Sequence, residues 1–197
     1  YDVLVPSDYM IERLIKEEKL QPLDKGVVTN LAVLADGVKG LSYDPDNTYS
    51  APYFWGTVGI VYNKNNVAKA DLEKEGFNIF QDTKYKGRLY LYDSERDSFM
   101  MALKALGYSM NTSSEKELHA AYEWLVKAVS TMDPEIVTDE VIDAMINGNK
   151  DLALVYSGDA AFILSENEDM EYFMPKEGTN LLSDAMVIPK DSKNPKL

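Results

Sequence analysis

The chain has 197 residues, a formal net charge of −13, 45% hydrophobic and 27% charged residues, one His and no Cys. That balance buries a core in one domain or two small lobes, and it excludes disulfides, thiolate metal sites and thiol catalysis. The acidic total argues against a general nucleic-acid binder, which meets phosphates with a basic face. No run is long and apolar enough to span a membrane, and no signal-peptide pattern is present.

Residues 1–5 read as a short buried strand. Ser7 or Asp8 then caps a helix to about Leu20, with Met10, Ile11, Leu14 and Ile15 on one face. Residues 21–50 are irregular and punctuated by Gly26, Gly37, Gly40 and Pro45. The run Asp44-Pro45-Asp46-Asn47 lacks the Gly and the closing Glu of a calcium loop, so it reads as a capping turn. Residues 51–63 form a long apolar strand that begins at Pro52, holds Tyr53, Phe54 and Trp55, and carries Gly56 and Gly59 where a strand bends or another group comes close.

A polar helix over 67–75 ends at Gly76, with Phe77, Ile79 and Phe80 as apolar anchors after it. The strand 87–92 runs into the acidic turn Asp93 to Asp97, and Phe99, Met100, Leu103 and Leu106 mark a helix closed by Gly107. Ser114 and Glu117 have capping-box spacing ahead of a helix expected to bury Leu118, Ala121, Leu125, Ala128 and Val129. Thr138 is expected to cap a further helix ending at Gly148. The buried strand 151–156, the turn Ser157-Gly158-Asp159, a helix from 160, a short strand 172–174 and an apolar strand 181–189 complete the pattern. Strands alternating with helices between 51 and 189 indicate an α/β fold.

Polar and acidic residues recur just after strands: Ser7-Asp8-Tyr9, Asp93 to Asp97, and Ser157-Gly158-Asp159. Helix capping accounts for residue types of this kind. Asp184 is different, because it lies inside an otherwise apolar strand, where a carboxylate needs a cationic partner from the protein or from a ligand. Tyr9, Tyr53, Phe54, Trp55, Tyr90, Tyr92 and Tyr156 form an aromatic set, most of which must be core. Aromatic faces beside carboxylates suit a linear di- or polyamine: the acids pair the ammonium groups and the rings flank the methylene stem. No glycine-rich phosphate loop is present. A carboxylate-dependent hydrolase with acids in the 93–97 turn is the alternative of a different class.

Several separate blocks carry a resemblance. Tyr1 to Ser7, Pro52 to Ile60, Met101 to Ser109, Trp124 to Lys127, Tyr156 to Phe162 and Ser183 to Pro189 resemble the spermidine/putrescine-binding proteins of bacterial ABC importers. The resemblance implies an α/β, periplasmic-binding-protein-like (type II) fold, with one complete lobe and part of the other, and a chain trimmed at both ends. It divides the chain into a partial first lobe at 1–53, a second lobe at 54–187 and a return crossing at 188–197, and it implies ligand capture in a cleft between lobes.

By matching motif it assigns ligand contacts to Ser7, Tyr9, Ser94, Asp97, Thr138, Tyr156 and Asp184, with no catalytic residue, metal or cofactor. Ser94 stands where relatives carry an acid, and Leu182 where an aromatic ring is expected. The implied function is an extracytoplasmic polyamine receptor, in the periplasm or as a lipoprotein on a Gram-positive surface. Its partners are ABC permease subunits, and it meets the membrane only through them or a lipid anchor. A ligand-sensing lobe of a fused transporter chain is a further alternative.

Overall fold

The long apolar stretch expected at 51–63 forms a continuous strand, Ser50–Asn63. The computed structural model describes residues 1–194. In chain order the elements are α1 (Asp8–Lys16), β1 (Leu20–Gln21), β2 (Ser50–Asn63), α2 (Lys69–Glu75), β3 (Leu89–Tyr92), α3 (Glu95–Ala105), α4 (Glu115–Met132), β4 (Glu135–Val137), α5 (Glu140–Ile146), β5 (Leu152–Tyr156), α6 (Ser157–Glu166), β6 (Met170–Phe173) and β7 (Leu181–Pro189). The chain divides into two compact units. One is Thr57–Asn180; the other is Tyr1–Gly56 together with residues from Leu181 onward. The backbone passes between them at 56/57, within β2, and at 180/181.

In the unit 57–180, β5 is the central strand. It runs antiparallel to β2, from Val58 opposite Tyr156 to Tyr62 opposite Leu152, and parallel to β3, which in turn runs parallel to β4. β6 lies antiparallel to β2 from Ile60 to Asn63. Burial explains the composition of these strands. Leu152 to Val155 are fully buried, as are Ile60 and Val61, and a strand covered on both faces reads as a continuous apolar run. The anchors Phe77, Ile79 and Phe80 are also fully buried, in a 3-10 turn, and each such side chain contributes about 1.5–3 kcal/mol of transfer free energy. Gly59 is required by a close approach, since a Cβ there would collide with the Tyr172 ring. Gly107 takes φ +78° to end the turn after α3, a conformation that other residues adopt at a cost.

Three local readings change in this unit. The face of α4 that is buried is Ala121, Trp124, Ala128 and Met132, whereas Val129 is exposed. The indole N–H of Trp124 donates to Asn78 Oδ1 at 3.2 Å, which lets a large aromatic with a polar edge turn inward. Only half of the capping box forms. Ser114 Oγ accepts from the Glu117 N–H at 3.5 Å, but the Glu117 carboxylate is taken by the Thr112 hydroxyl, and Thr112 Oγ1 accepts the Ser114 N–H at 3.1 Å. β4 was not expected from the sequence; at three residues its alternation is too short to read.

In the other unit, β1 and β7 pair antiparallel, Leu20 opposite Pro189 and Gln21 opposite Ile188. The core here is Ile11, Leu20, Ala185 and Val187, with Leu4, Leu14, Ile15, Tyr43 and Tyr49 packed against it. Residues 1–5 do not form a buried strand. They contribute an isolated bridge, Leu4 with Val187, while Tyr1, Val3 and Val5 are exposed. The Asp44 turn is a capping turn as expected. Its buried carboxylate accepts the N–H groups of Thr48, Tyr49 and Ser50 at 2.9–3.0 Å and the Ser50 hydroxyl at 2.7 Å. Tyr53, Phe54 and Trp55 are all more than half exposed.

Candidate functional site

Within the unit 57–180, the parallel strands β3, β4 and β5 all finish at one end of the sheet, and the polar residues gather there. β3 ends at Tyr92, β4 at Val137 just before Thr138 and Asp139, and β5 at Tyr156. The antiparallel partner β2 enters the unit at the same end, with Val58 opposite Tyr156. In open α/β sheets this carboxyl edge is where ligands are held, because helix N-termini and turn residues converge on it.

Asp97 lies at the centre of the cluster. Ser94 is the N-cap of α3 and its Oγ accepts the Asp97 N–H at 3.3 Å, which fixes Asp97 in the first helical turn. The Asp97 side chain is 5% exposed. Its Oδ2 accepts the Tyr156 hydroxyl at 2.6 Å, and its Oδ1 accepts the Asn180 amide at 3.0 Å. Asp93 and Glu95, the other acids of that turn, are exposed. Tyr156 is half-buried. Burial first, then the hydrogen bond to Asp97 and its charge, raise the phenol well above the ordinary tyrosine range, so it stays a donor. The Tyr92 ring meets the Tyr156 ring edge-on, with centroids 4.9 Å apart and planes at 68°. Tyr92 donates to Asp139 Oδ1 at 3.1 Å, and burial together with Asp139 raises its phenol likewise. Asp159, in the first turn of α6, has its carboxyl held above the usual carboxylate range by burial and by the Asp139 charge.

The structure therefore brings Ser94, Asp97 and Tyr156 into one bonded group. Thr138 stands apart from it: its hydroxyl and its N–H both donate to Glu140 Oε2, at 2.7 and 3.0 Å, and Asp139 rather than Thr138 is the N-cap of α5. Two members of the group were not singled out from sequence. They are Asn180 and Asp139, the residue beside the Thr138 cap position. Both are common polar types in turns, so their use becomes visible only once the strand ends are placed side by side.

The other unit carries its own polar group. Ser7 and Asp184 face each other across an isolated antiparallel bridge, and Ala185 N–H bonds the Pro6 carbonyl at 3.2 Å. Asp184 Oδ1 is buried and has no hydrogen-bond partner. Its neighbour Ser183 is buried and lies 3.1 Å from the Tyr43 hydroxyl. Tyr9 is on the first turn of α1 and 43% exposed. Leu182 is half-buried on β7, two residues before Asp184.

Acids, phenols and an amide at the carboxyl ends of parallel strands make a polar edge of the kind at which α/β folds hold ligands. The whole sequence, residues 1–197, matches the bacterial extracellular solute-binding proteins, and the chain belongs to that family. It is 34% identical over 200 residues to the spermidine/putrescine-binding periplasmic protein of Escherichia coli K12, a match covering 98% of this chain and 55% of that protein. Among solved structures, an ABC transporter protein from Listeria monocytogenes matches all of the chain at TM-score 0.91 and 40% identity, with 60% of its own length covered. The spermidine/putrescine ABC transporter substrate-binding protein PotD from Streptococcus pneumoniae matches at TM-score 0.81 and 36% identity, with 59% of its length covered. The chain thus spans about half the length of the curated relatives it matches. Among the described residues no helix is long and apolar enough to cross a membrane.

Proposed function

We propose that this chain is part of an extracytoplasmic receptor that captures a polyamine, putrescine or spermidine, and hands it to an ABC permease without transforming it. The observation that carries this reading is the Asp184 carboxylate, whose Oδ1 is buried without a partner. A buried carboxylate oxygen with nothing to accept from is costly by about 1–3 kcal/mol. An ammonium group supplies both the missing donor and the opposite charge. Ser7, opposite Asp184 across the bridge, and Tyr9, two residues on in the same unit, are assigned to the ligand with it. In the unit 57–180 the same reading assigns Tyr156 as an aromatic wall for the alkyl stem, with Ser94 and Asp97 bonded beside it; Thr138, whose hydroxyl is bonded to Glu140, is assigned from the family resemblance alone. The names of the relatives support the ligand class, and the family supports a binding rather than a catalytic role.

The test is calorimetric titration of the full-length protein with putrescine, spermidine and a neutral sugar, with each ligand recovered unchanged afterwards. Saturable heat with an amine and none with the sugar is expected. Absence of heat with both amines would sink the reading, and turnover of the amine would move the protein to a different class.

A further inference from the structure

Asp97 is not an open carboxylate. Tyr156 and Asn180 each occupy one of its oxygens, and only 5% of the residue is exposed. The orientation of the Asn180 amide is fixed by its partners, since a carboxylate accepts only from the nitrogen end and a main-chain N–H donates only to the oxygen end. Its Oδ1 accepts the Val58 N–H at 3.2 Å. Thr179, the residue before, donates its hydroxyl to the Val58 carbonyl at 2.6 Å and lies 3.1 Å from Asn180 Oδ1. Residues 179 and 180 therefore hold both polar groups of one β2 peptide position. Val58 lies two residues past Gly56, and Asn180 is the last residue before Leu181, so the linked positions are those where the backbone enters and leaves the unit.

We propose that Asn180 is a positioning residue of the amine site. It bridges the Asp97 carboxylate to the main chain of β2, so that whatever engages Asp97 or Tyr156 is registered at Val58. This rests on the polyamine reading for its ligand but not for its geometry. The bonds converge on the carboxylate: Tyr156 O–H donates to Asp97 Oδ2, Asn180 N–H donates to Asp97 Oδ1, and Val58 N–H donates to Asn180 Oδ1. The two bonds of Asn180 are coupled, because polarising a hydrogen-bonded amide at one end changes its acceptor strength at the other.

The test follows the Val58 amide resonance in isotope-labelled full-length protein. Without ligand, Asp97→Asn is expected to shift that resonance in the parent and to leave it in place in Asn180→Leu and Asn180→Ala. The second variant loses the donor to Asp97 without a side chain that has to be repacked, so it serves if the first does not fold. With putrescine, the Val58 resonance is expected to follow saturation in the parent. In the Asn180 variants amine affinity should fall about tenfold, the loss of one hydrogen bond to a charged group, and Val58 should cease to follow. A response to Asp97→Asn that is equal in all backgrounds overturns the bridge, whatever the amine does. Amine binding that never moves Val58 overturns it too. A bridge that holds without ligand, in a protein that putrescine does not touch, supports the geometry and counts against the polyamine reading alone.

Discussion

Asp97 and Asp184 are both acids in predominantly buried surroundings, one in each unit, and they are handled in opposite ways. Asp97 accepts at both oxygens from side chains of its own unit, Tyr156 and Asn180. Asp184 leaves one oxygen buried and unpaired. The contrast separates a carboxylate that organises the protein from one that waits for something else. On the proposed reading, removing the first is expected to cost folding free energy and removing the second to cost binding. The two units also differ in their cores. Fully buried apolar side chains in 57–180 span several strands and helices, whereas in the other unit Ile11, Leu20, Ala185 and Val187 form a smaller cluster.

The sharpest way to break this comparison is through the cores. Leu154→Ala, in the central strand β5, is expected to cost about 3–5 kcal/mol, because neighbours on both faces cannot collapse into the space. Ile11→Ala should sit nearer about 2 kcal/mol, since its cluster is small and bordered by half-buried residues. Urea denaturation of both variants checks the order. Native-state hydrogen exchange gives the same contrast without mutation. The Leu4 and Val187 amides, which bond each other's carbonyls at 3.0 and 2.9 Å in an isolated bridge, should exchange well before the amide of Leu154. Protection at Leu4 equal to that at Leu154 would erase the difference drawn between the units.

Next in size is Asp97→Ala. It strips the Tyr156 hydroxyl and the Asn180 amide of their acceptor, and the expected loss is about 2–3 kcal/mol of stability. Asp97→Asn should lose less, because one oxygen remains to accept. Thermal unfolding that is unmoved by Asp97→Ala would show that the carboxylate does not organise this end of the sheet.

Much of this was legible in the sequence, and the reasons differ by residue. Asp184 stood out because a carboxylate inside an apolar strand has no local explanation, and its unpaired oxygen is the structural form of that same fact. The polar turns after strands could be located but not ranked, since capping favours the same residue types. Asn180 was invisible for the opposite reason. Nothing about an Asn at the end of Glu177-Gly178-Thr179 distinguishes a turn residue from a bridge, because its partners Asp97 and Val58 lie 83 and 122 positions away in the chain. The fold class followed from the alternation of strands and helices. The helix faces were less secure: Trp124 displaced Val129 from the core of α4 once Asn78 offered its indole an acceptor.

Asp184→Asn tests the other half of the comparison. Removing the charge is expected to leave stability unchanged or raise it by up to about 1 kcal/mol, since an amide in the same place is less costly to bury than an unpaired carboxylate. Amine affinity should fall further than in Tyr156→Phe, which keeps the ring and loses only the hydroxyl. Paired calorimetry and thermal unfolding read both effects. An Asp184→Asn protein that is less stable and binds amine normally would make Asp184 a structural acid like Asp97.

The smallest effect concerns Asp159, a third acid, half-buried in the unit 57–180. Burial and the neighbouring Asp139 charge hold its carboxyl above the usual carboxylate range. In the unfolded chain the group gives up its proton at the ordinary value, and in the folded protein it keeps it to higher pH. Between those two points the folded state holds more protons, so stability falls as pH rises through the window. Below it both states are protonated and the group contributes nothing; above it the reduction is complete and persists to neutral pH. Asp159→Asn should therefore unfold at a slightly higher temperature than the parent at pH 7, with the difference vanishing under acid conditions below the ordinary carboxylate value. The side chain is partly solvent-screened, which keeps the offset small. An offset of constant size across that pH range would mean that packing, and not charge, distinguishes the variant.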